Sequence, residues 1–383
     1  MITLIKNAEV YAPEPLGRAS ILFVGQRIAK IGEVDEEAIK GIGIDYKIVD
    51  AEGAYAVPGF IDPHVHLIGG GGEGGFATRT PEIQLSDMIQ SGITTVVGLL
   101  GTDGTTRHMT SLLAKARGLE EEGMTTFIYT GNYAVPTTTI SSSVKEDIIL
   151  FDKIIGAAEI AISDSRSGQP SIHELAKIVG EARVGGMLSG KAGVTHFHTG
   201  PGKEYLALLH QLLEDYELPA SNLYATHITR SQELVDDAIR LANKGAYVDI
   251  TADEETGKWV IYYKENGGDM QHLTISSDGN GSLPKFDESG KMVGFGVAST
   301  QTLFQQVIAA VKNQNIALQE ILPLVTSNTA DALKLSKKGS IQEDKDADVL
   351  LLNKETLALE HVFAKGRHML ENKELLVKGT FEK

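Results

Sequence analysis

The stretch Val57-Pro58-Gly59-Phe60-Ile61-Asp62-Pro63-His64-Val65-His66-Leu67-Ile68 carries an apolar, β-branched run into two histidines one residue apart. On a strand, alternate side chains share a face, so His64 and His66 point one way and Val65 the other. Two imidazoles placed like this can grip one divalent metal. A glycine-rich run from Gly69 to Gly72 follows, with Glu73 and Gly74-Gly75 behind it. That composition suits a loop folded close over a ligand. Two histidines at this spacing also arise by accident, so the reading depends on what the rest of the chain supplies.

Downstream, strand-like apolar runs alternate with helical ones, which argues for a parallel sheet. Strands are expected at Phe60–His66, Thr94–Leu99, Thr126–Thr130, Glu159–Ser163, Gly193–Phe197, Leu223–His227, Ala246–Ile250 and Leu273–Ser277. Helical runs separate most of them, at Leu112–Glu122, His173–Leu188, Tyr205–Tyr216 and Glu233–Lys244. Eight such strands fit an α/β fold of the (β/α)8 TIM-barrel type better than an open doubly wound sheet. Chemistry in such barrels lies where strands end and loops begin. His64 and His66 close the first strand, Glu159 stands near the start of the fourth, and His196 and His198 close the fifth. His227 closes the sixth, and Asp278 follows the eighth. One histidine alone at such a place would be an ordinary core residue; four strand ends bearing His or Asp predict a metal site.

The two ends of the chain read differently. Residues 1–55 hold short strands at Thr3–Ile5, Ala19–Val24, Arg27–Ile31 and Lys47–Asp50, with a tight turn at Gly25-Gln26. The tail has the same texture at Ala347–Leu352 and His361–Ala364. Neither end can bury enough surface alone, so residues 1–55 and 341–383 are expected to pair as a small β-sandwich domain beside a barrel spanning 56–340. The segment Ala252–Met270, with Trp259, Tyr262 and Tyr263, reads as an insert that could serve as a lid or a subunit contact.

Composition narrows the chemistry. With 383 residues, of which 42% are hydrophobic, the chain can bury one large core and one small one. A formal net charge of −16 offers no attraction to nucleic acid or to an anionic membrane, and its plainer effect is solubility. There are no cysteines, which excludes disulfides, thiolate catalysis and Cys-based metal sites. Any metal must be held by His and carboxylate. No run of about 18 apolar residues or signal-peptide pattern is present, and a cytoplasmic protein is expected.

Five segments carry a likeness to a known group: Pro58 to Gly75, Thr130-Gly-Asn-Tyr133-Ala-Val-Pro136, Ala161-Ile-Ser-Asp-Ser-Arg166, Ala225-Thr-His-Ile-Thr-Arg230 and Ser276-Ser-Asp-Gly-Asn-Gly-Ser282. Together they resemble the isoaspartyl dipeptidase family of the amidohydrolase superfamily. His-x-His points only to the superfamily; the loop bearing Glu73, with Tyr133, Arg166 and Arg230, points to the dipeptidases. The resemblance implies two zinc ions, although spacing does not exclude other divalent first-row metals. It implies His64, His66 and Asp278 on the more buried ion and His198 with His227 on the more exposed one. His196 shares a strand face with His198 but lies one layer deeper, and reads as barrel packing.

Relatives of this kind commonly bridge their metals with a carboxylated lysine on the fourth strand. Here the matching position is Glu159, so no carboxylated lysine is expected and Glu159 is the bridging candidate. A glutamate reaches roughly 3–4 Å less far than a lysine carbamate, which requires the strand to shift inward or the metals to move. The resemblance further implies hydrolysis of the β-aspartyl isopeptide bond of a small dipeptide by a metal-bridging hydroxide. Asp278 would act as general base and acid, and Tyr133 would stabilise the oxyanion. An isoaspartyl dipeptide carries an ammonium and two carboxylates. Glu73, with backbone groups of Gly71 and Gly72, is the candidate for the first, and Arg166 and Arg230 for the others. Thr102 and Ser282 add neutral hydrogen bonds. A homo-oligomer is implied too, an octamer being the large form the dipeptidases point to. The rival readings are a cyclic amidase of the dihydroorotase or hydantoinase kind, a D-aminoacylase, and a scaffold that has lost its metals and works as an interaction protein.

Overall fold

The computed structural model describes residues 1–41, 43–286 and 292–383. Eight parallel strands run in sequence order round a sheet: Phe60–Val65, Ile93–Gly98, Thr125–Thr130, Ile154–Ile162, Val194–Thr199, Leu223–Thr226, Tyr247–Thr251 and Leu273–Ser276. The first and eighth strands approach each other, with Val65 bridging Gly279 and the His66 amide donating to the Gly279 carbonyl at 2.9 Å. The sheet is thereby nearly closed into a (β/α)8 barrel. Residues of the strands are almost all buried because helices cover the outer face and side chains fill the interior. The second subdivision of the core lies inside the barrel's lower end, where Tyr129, Val194 and Tyr224 pack together.

The helices start and stop where local chemistry directs. Ile172–Ser189 opens with Ser171 and Glu174 capping each other's backbone amides and ends at Gly190, whose φ of 69° lies in the left-handed region. Gln232–Ala242 is capped by Ser231, which accepts from the Leu234 amide, and buries Leu234, Val235, Ala238 and Leu241 against the barrel. Losing one such leucine to alanine would cost about 2–5 kcal/mol.

Both chain ends meet in one nine-stranded sheet. Strand Val349–Leu352 pairs antiparallel with Tyr55–Pro58, the strand that leads into the barrel, and Ile2–Tyr11 continues from it. Ile5, Val10, Ile21, Phe23, Val349 and Phe363 form the core of this layer. Buried Lys338 ties it to the barrel: its ammonium donates to Thr125 at 2.6 Å and to Asp348 at 2.6 Å, and pairs with Asp346 at 2.8 Å.

Two sequence expectations are revised. The fourth strand begins at Ile154, five residues before Glu159, so that residue sits in its upper half rather than near its start. The small residues Gly156, Ala157 and Ala158 hide the strand from a reading based on bulky apolar runs. The segment 252–270 is no lid: Thr256–Glu265 is the barrel helix after the seventh strand, with Trp259 and Tyr263 buried against the core and the helix packed on its neighbour Gln301–Gln314. Among the described residues, no helix is long and apolar enough to cross a membrane.

Candidate metal centre

His64 and His66 leave the first strand on one face, as the period of two requires. His64 Nε2 lies 3.3 Å from Asp278 Oδ1 and 3.6 Å from Glu159 Oε2, and His66 Nε2 lies 3.2 Å from the same Asp278 oxygen. From the opposite side, His198 Nδ1 stands 2.8 Å and His227 Nε2 3.3 Å from Glu159 Oε1. Three overlapping groups result, His64–His66–Glu159, His64–His227–Asp278 and Glu159–His198–His227, each with ligand atoms within 4.8 Å of one another. Glu159 belongs to two of them.

A local irregularity brings Glu159 there. Its strand pairs Ala157 with Thr195 and Ile160 with Phe197, so one extra residue is accommodated around Ala158–Glu159. Such a bulge bends the strand and re-aims the next side chain, the inward shift that a short glutamate needs. Two further candidates sit in left-handed backbone, His227 at φ 62° and Asp278 at φ 49°. Conformations of this kind cost about 1–3 kcal/mol each in a non-glycine residue and persist where the surroundings enforce them. Gly281 leaves room for two of the side chains: a Cβ there would stand 3.1 Å from both Asp278 Oδ1 and the His66 ring.

The donors fit a divalent cation. His64 Nε2 and Glu159 Oε2 are buried and have no hydrogen-bond partner, and buried polar atoms left single call for an unplaced partner. Two carboxylates face imidazoles in a region with little solvent. Burial alone would push His64 down, but Glu159 and Asp278 raise it to about 10, so positive charge is demanded at this point. Burial depresses His227 to about 3 and leaves it neutral, the ligand form. Imidazole and carboxylate ligands suit zinc and its neighbours.

The far nitrogens of these rings are held by other side chains, which fixes which nitrogen faces the centre. His227 Nδ1 lies 2.6 Å from Thr251 Oγ1, and His64 Nδ1 lies 3.2 Å from His196 Nε2. His196, fully buried and stacked on Tyr129, touches a candidate ligand as well as filling space. His198 Nε2 lies 3.0 Å from Asp164 Oδ2.

Around this centre the structure gathers most of the substrate-binding candidates. Glu73 Oε1 accepts from Thr102 at 3.1 Å and from Arg166 at 3.4 Å, and its Oε2 accepts from Ser282 at 3.2 Å. Gly71, at φ 74°, packs so tightly that a Cβ would meet Thr78 O at 2.6 Å and Ser282 Cβ at 2.9 Å. The loop must therefore be glycine at this point. The Tyr133 hydroxyl lies 2.7 Å from His198 Nδ1, and the Arg166 guanidinium lies 5.4 Å over the Tyr133 ring. Arg230 stands apart from the Glu73 cluster: its Nε donates to the Thr199 carbonyl at 2.8 Å, and its charge is felt at His227.

Sequence reasoning gave Asp164 no role. It is 3% exposed at the side chain, and it accepts two hydrogen bonds from the Arg166 guanidinium, at 3.0 and 2.8 Å, and one from the Arg166 amide at 2.7 Å, besides its contact with His198. Burial would raise its carboxyl, but the bonds from His198 and Arg166 hold it far below the usual range. The signal was available, since an Arg bound for a substrate carboxylate needs an anion to hold its plane, and Asp164 precedes Arg166 by two residues. Arg107 was missed too. Its guanidinium donates to the Gly70 carbonyl at 2.7 Å and to Thr80 O at 3.2 Å, fixing the glycine-rich loop from beneath.

Known proteins align with this arrangement. A beta-aspartyl dipeptidase of Fervidobacterium islandicum AW-1, solved in complex with a beta-Asp-Leu dipeptide, superposes with a TM-score of 0.91 at 44% identity, covering 98% of both chains. A dihydroorotase of Lactobacillus gasseri is 25% identical over 417 residues, covering 92% of this chain and 89% of that enzyme. An adenine deaminase of Staphylothermus marinus is 27% identical over 275 residues, 69% of this chain, and the match spans only 42% of that longer enzyme. The profile of the Amidohydrolase family matches residues 55–369, from the strand that enters the barrel to the returning strand of the tail. A barrel with His, Glu and Asp gathered at its mouth, matched over most of its length by that profile, belongs to the Amidohydrolase family.

Proposed function

We propose that this protein hydrolyses the β-aspartyl bond of isoaspartyl dipeptides. The observation that carries the reading is the Glu73 carboxylate, held beside the metal-ligand cluster by Thr102, Ser282 and Arg166. An anion held by two hydroxyls, with the Arg166 guanidinium beside it, matches a substrate that bears an ammonium next to carboxylates. The likeness to the Fervidobacterium islandicum enzyme supports the same substrate class.

His64, His66 and Asp278 would hold one metal, His198 and His227 the other, with Glu159 between them. A divalent pair, zinc in our reading, supplies Lewis acidity and an acidified water when bound. The chain's own groups do the rest. Desolvation opposes it, yet the imidazoles of His64, His66 and His227 keep the Asp278 carboxyl well below its usual range. It is therefore ionised, the form that can take a proton, and a carboxyl so disfavoured as an acid gives that proton up readily to the departing amine. Burial, together with the Glu159 charge, holds the Tyr133 hydroxyl well above the usual phenol range. Tyr133 therefore keeps its proton and donates it as a hydrogen bond to the oxyanion. Glu73 binds the substrate ammonium, while Arg166 and Arg230 take its carboxylates.

Purified protein offered β-Asp-Leu and α-Asp-Leu, with zinc quantified in the same sample, tests the reading. Hydrolysis confined to the β-linked peptide is expected. Preference for the α-linked form would reject the substrate, and turnover of dihydroorotate or N-acetyl-D-amino acids in its place would move the protein to a cyclic amidase or aminoacylase.

A further inference from the structure

We propose a second divalent-metal site, remote from the barrel mouth, in the hairpin formed by strands Leu359–Ala364 and Arg367–Glu371, with His361, His368 and Glu371 as ligands. His361 and Glu371 stand directly opposite each other in the antiparallel register. His368 is three residues before Glu371, and on a regular strand it would face the other side. The register shifts between Val362 and Phe363, so that Leu370 pairs with Val362 and His368 with Phe363, leaving Met369 as the extra residue. This bulge returns His368 to the face of His361 and Glu371. The bulge buries Met369 in the core and at the same time turns an imidazole toward a second imidazole and a carboxylate.

The spacing is that of a ligand set. His361 Nδ1 and His368 Nε2 are 3.0 Å apart, and one atom from each of the three residues lies within 4.8 Å of the others. Zinc with nitrogen ligands at about 2.0–2.1 Å places neighbouring nitrogens of a tetrahedron roughly 3.3 Å apart, so the rings need to open by a few tenths of an ångström. Phe363, fully buried, stacks on the His368 ring at 4.3 Å and fixes its plane. Burial holds both imidazoles below their usual range, and neutral rings are the binding form.

A cation already touches the group. The Lys47 ammonium lies 2.7 Å from His368 Nδ1 and 3.7 Å from Glu371 Oε2. Lys47 donates to Nδ1, so the proton of His368 sits on Nε2, between the two rings. A metal taking the place of that proton sends it to Nδ1, and Lys47 then turns from the ring to the free oxygen of Glu371. A cavity of about 360 Å³ opens beside the cluster, lined by His361 and Glu371 and by the acidic residues Glu360, Asp50 and Glu52. Negative lining of that kind raises the local concentration of an entering cation.

The test counts metal. The full chain is stripped with a chelator, reloaded by dialysis against zinc, and its metal measured by mass spectrometry beside the double variant His361→Asn/His368→Asn and the single variant Glu371→Gln. The wild type is expected to hold one equivalent more than the double variant, while β-Asp-Leu hydrolysis stays unchanged. Glu371→Gln should show the same loss at low zinc, and Lys47→Ala, with the competing ammonium gone, should fill the extra site at lower zinc than the wild type. Equal stoichiometry in wild type and Glu371→Gln at every zinc concentration would overturn the proposal, whether or not the double variant folds. Loss of hydrolysis without loss of the equivalent would do the same.

Discussion

Asp164 Oδ2 stands 3.0 Å from His198 Nε2, and the same carboxylate grips the Arg166 guanidinium through both its oxygens. One buried anion therefore orients a candidate metal ligand and a candidate substrate-binding arginine together. Carboxylate–histidine pairs of this kind raise ligand basicity and fix the ring. In Asp164→Asn the amide keeps the shape but loses the charge and one acceptor. Activity or metal affinity is expected to fall by about 10–100-fold, with KM rising as Arg166 loses its plane. Steady-state kinetics and zinc titration on the variant measure both, and a change in kcat alone would separate the two roles.

Tyr133 makes a sharper case. Its hydroxyl contacts His198 and stays protonated. If it donates to the oxyanion, the bond is made in the transition state and not before it, so Tyr133→Phe should lower kcat by about 10²–10³ with little change in KM. A variant whose KM rises while kcat holds would make Tyr133 a packing residue under the Arg166 guanidinium.

Glu159 replaces the lysine that the resemblance leads one to expect, and its two oxygens reach toward His64, His198 and His227. A glutamate needs no carbon dioxide to become a ligand. Zinc-reconstituted enzyme should thus have the same rate with and without added bicarbonate. Glu159→Gln should lose more activity than Tyr133→Phe, beyond about 10³-fold, because it removes charge from both halves of the centre at once. Metal analysis should show at least one ion missing from that variant.

Much of this was legible before any coordinates. The His-x-His of the first strand, the histidines closing the fifth and sixth and the aspartate after the eighth follow from strand periodicity and the rule that barrel chemistry sits at strand ends. The cluster of Glu73 with Thr102, Arg166 and Ser282 came through the resemblance. What stayed hidden has a common physical cause, since periodicity counts residues and a bulge breaks the count. The extra residue near Ala158 that delivers Glu159, and the one at Met369 that turns His368 toward Glu371, leave no mark in a hydrophobic pattern. Asp164 was hidden for another reason. Its pairing with Arg166, two residues on, was within reach of local spacing, but its contact with His198 joins side chains from different strands and is not written there.

The join between the barrel and the tail supplies a prediction that does not depend on catalysis. Glu120, near the end of helix Met109–Glu121, pairs with Lys153 of the barrel and, at 3.1 Å, with Lys365 of the tail. Burial would raise its carboxyl, but the two ammonium groups outweigh that and hold it below the usual 4.5. A carboxyl depressed on folding binds its proton more readily in the unfolded chain, so stability rises with pH across this window. The contribution is complete above about pH 4.5 and is lost as the pH falls through the lower folded value. Glu120→Gln should unfold at a lower temperature than the wild type at pH 7, by no more than about 1 kcal/mol in stability because the group is partly exposed. The gap should narrow as the pH is taken below 4.5, and calorimetry on both proteins from pH 7 to pH 3 measures it. A gap that stays constant over that range would mean that the neutral geometry of the side chain, not its charge, holds the tail to the barrel.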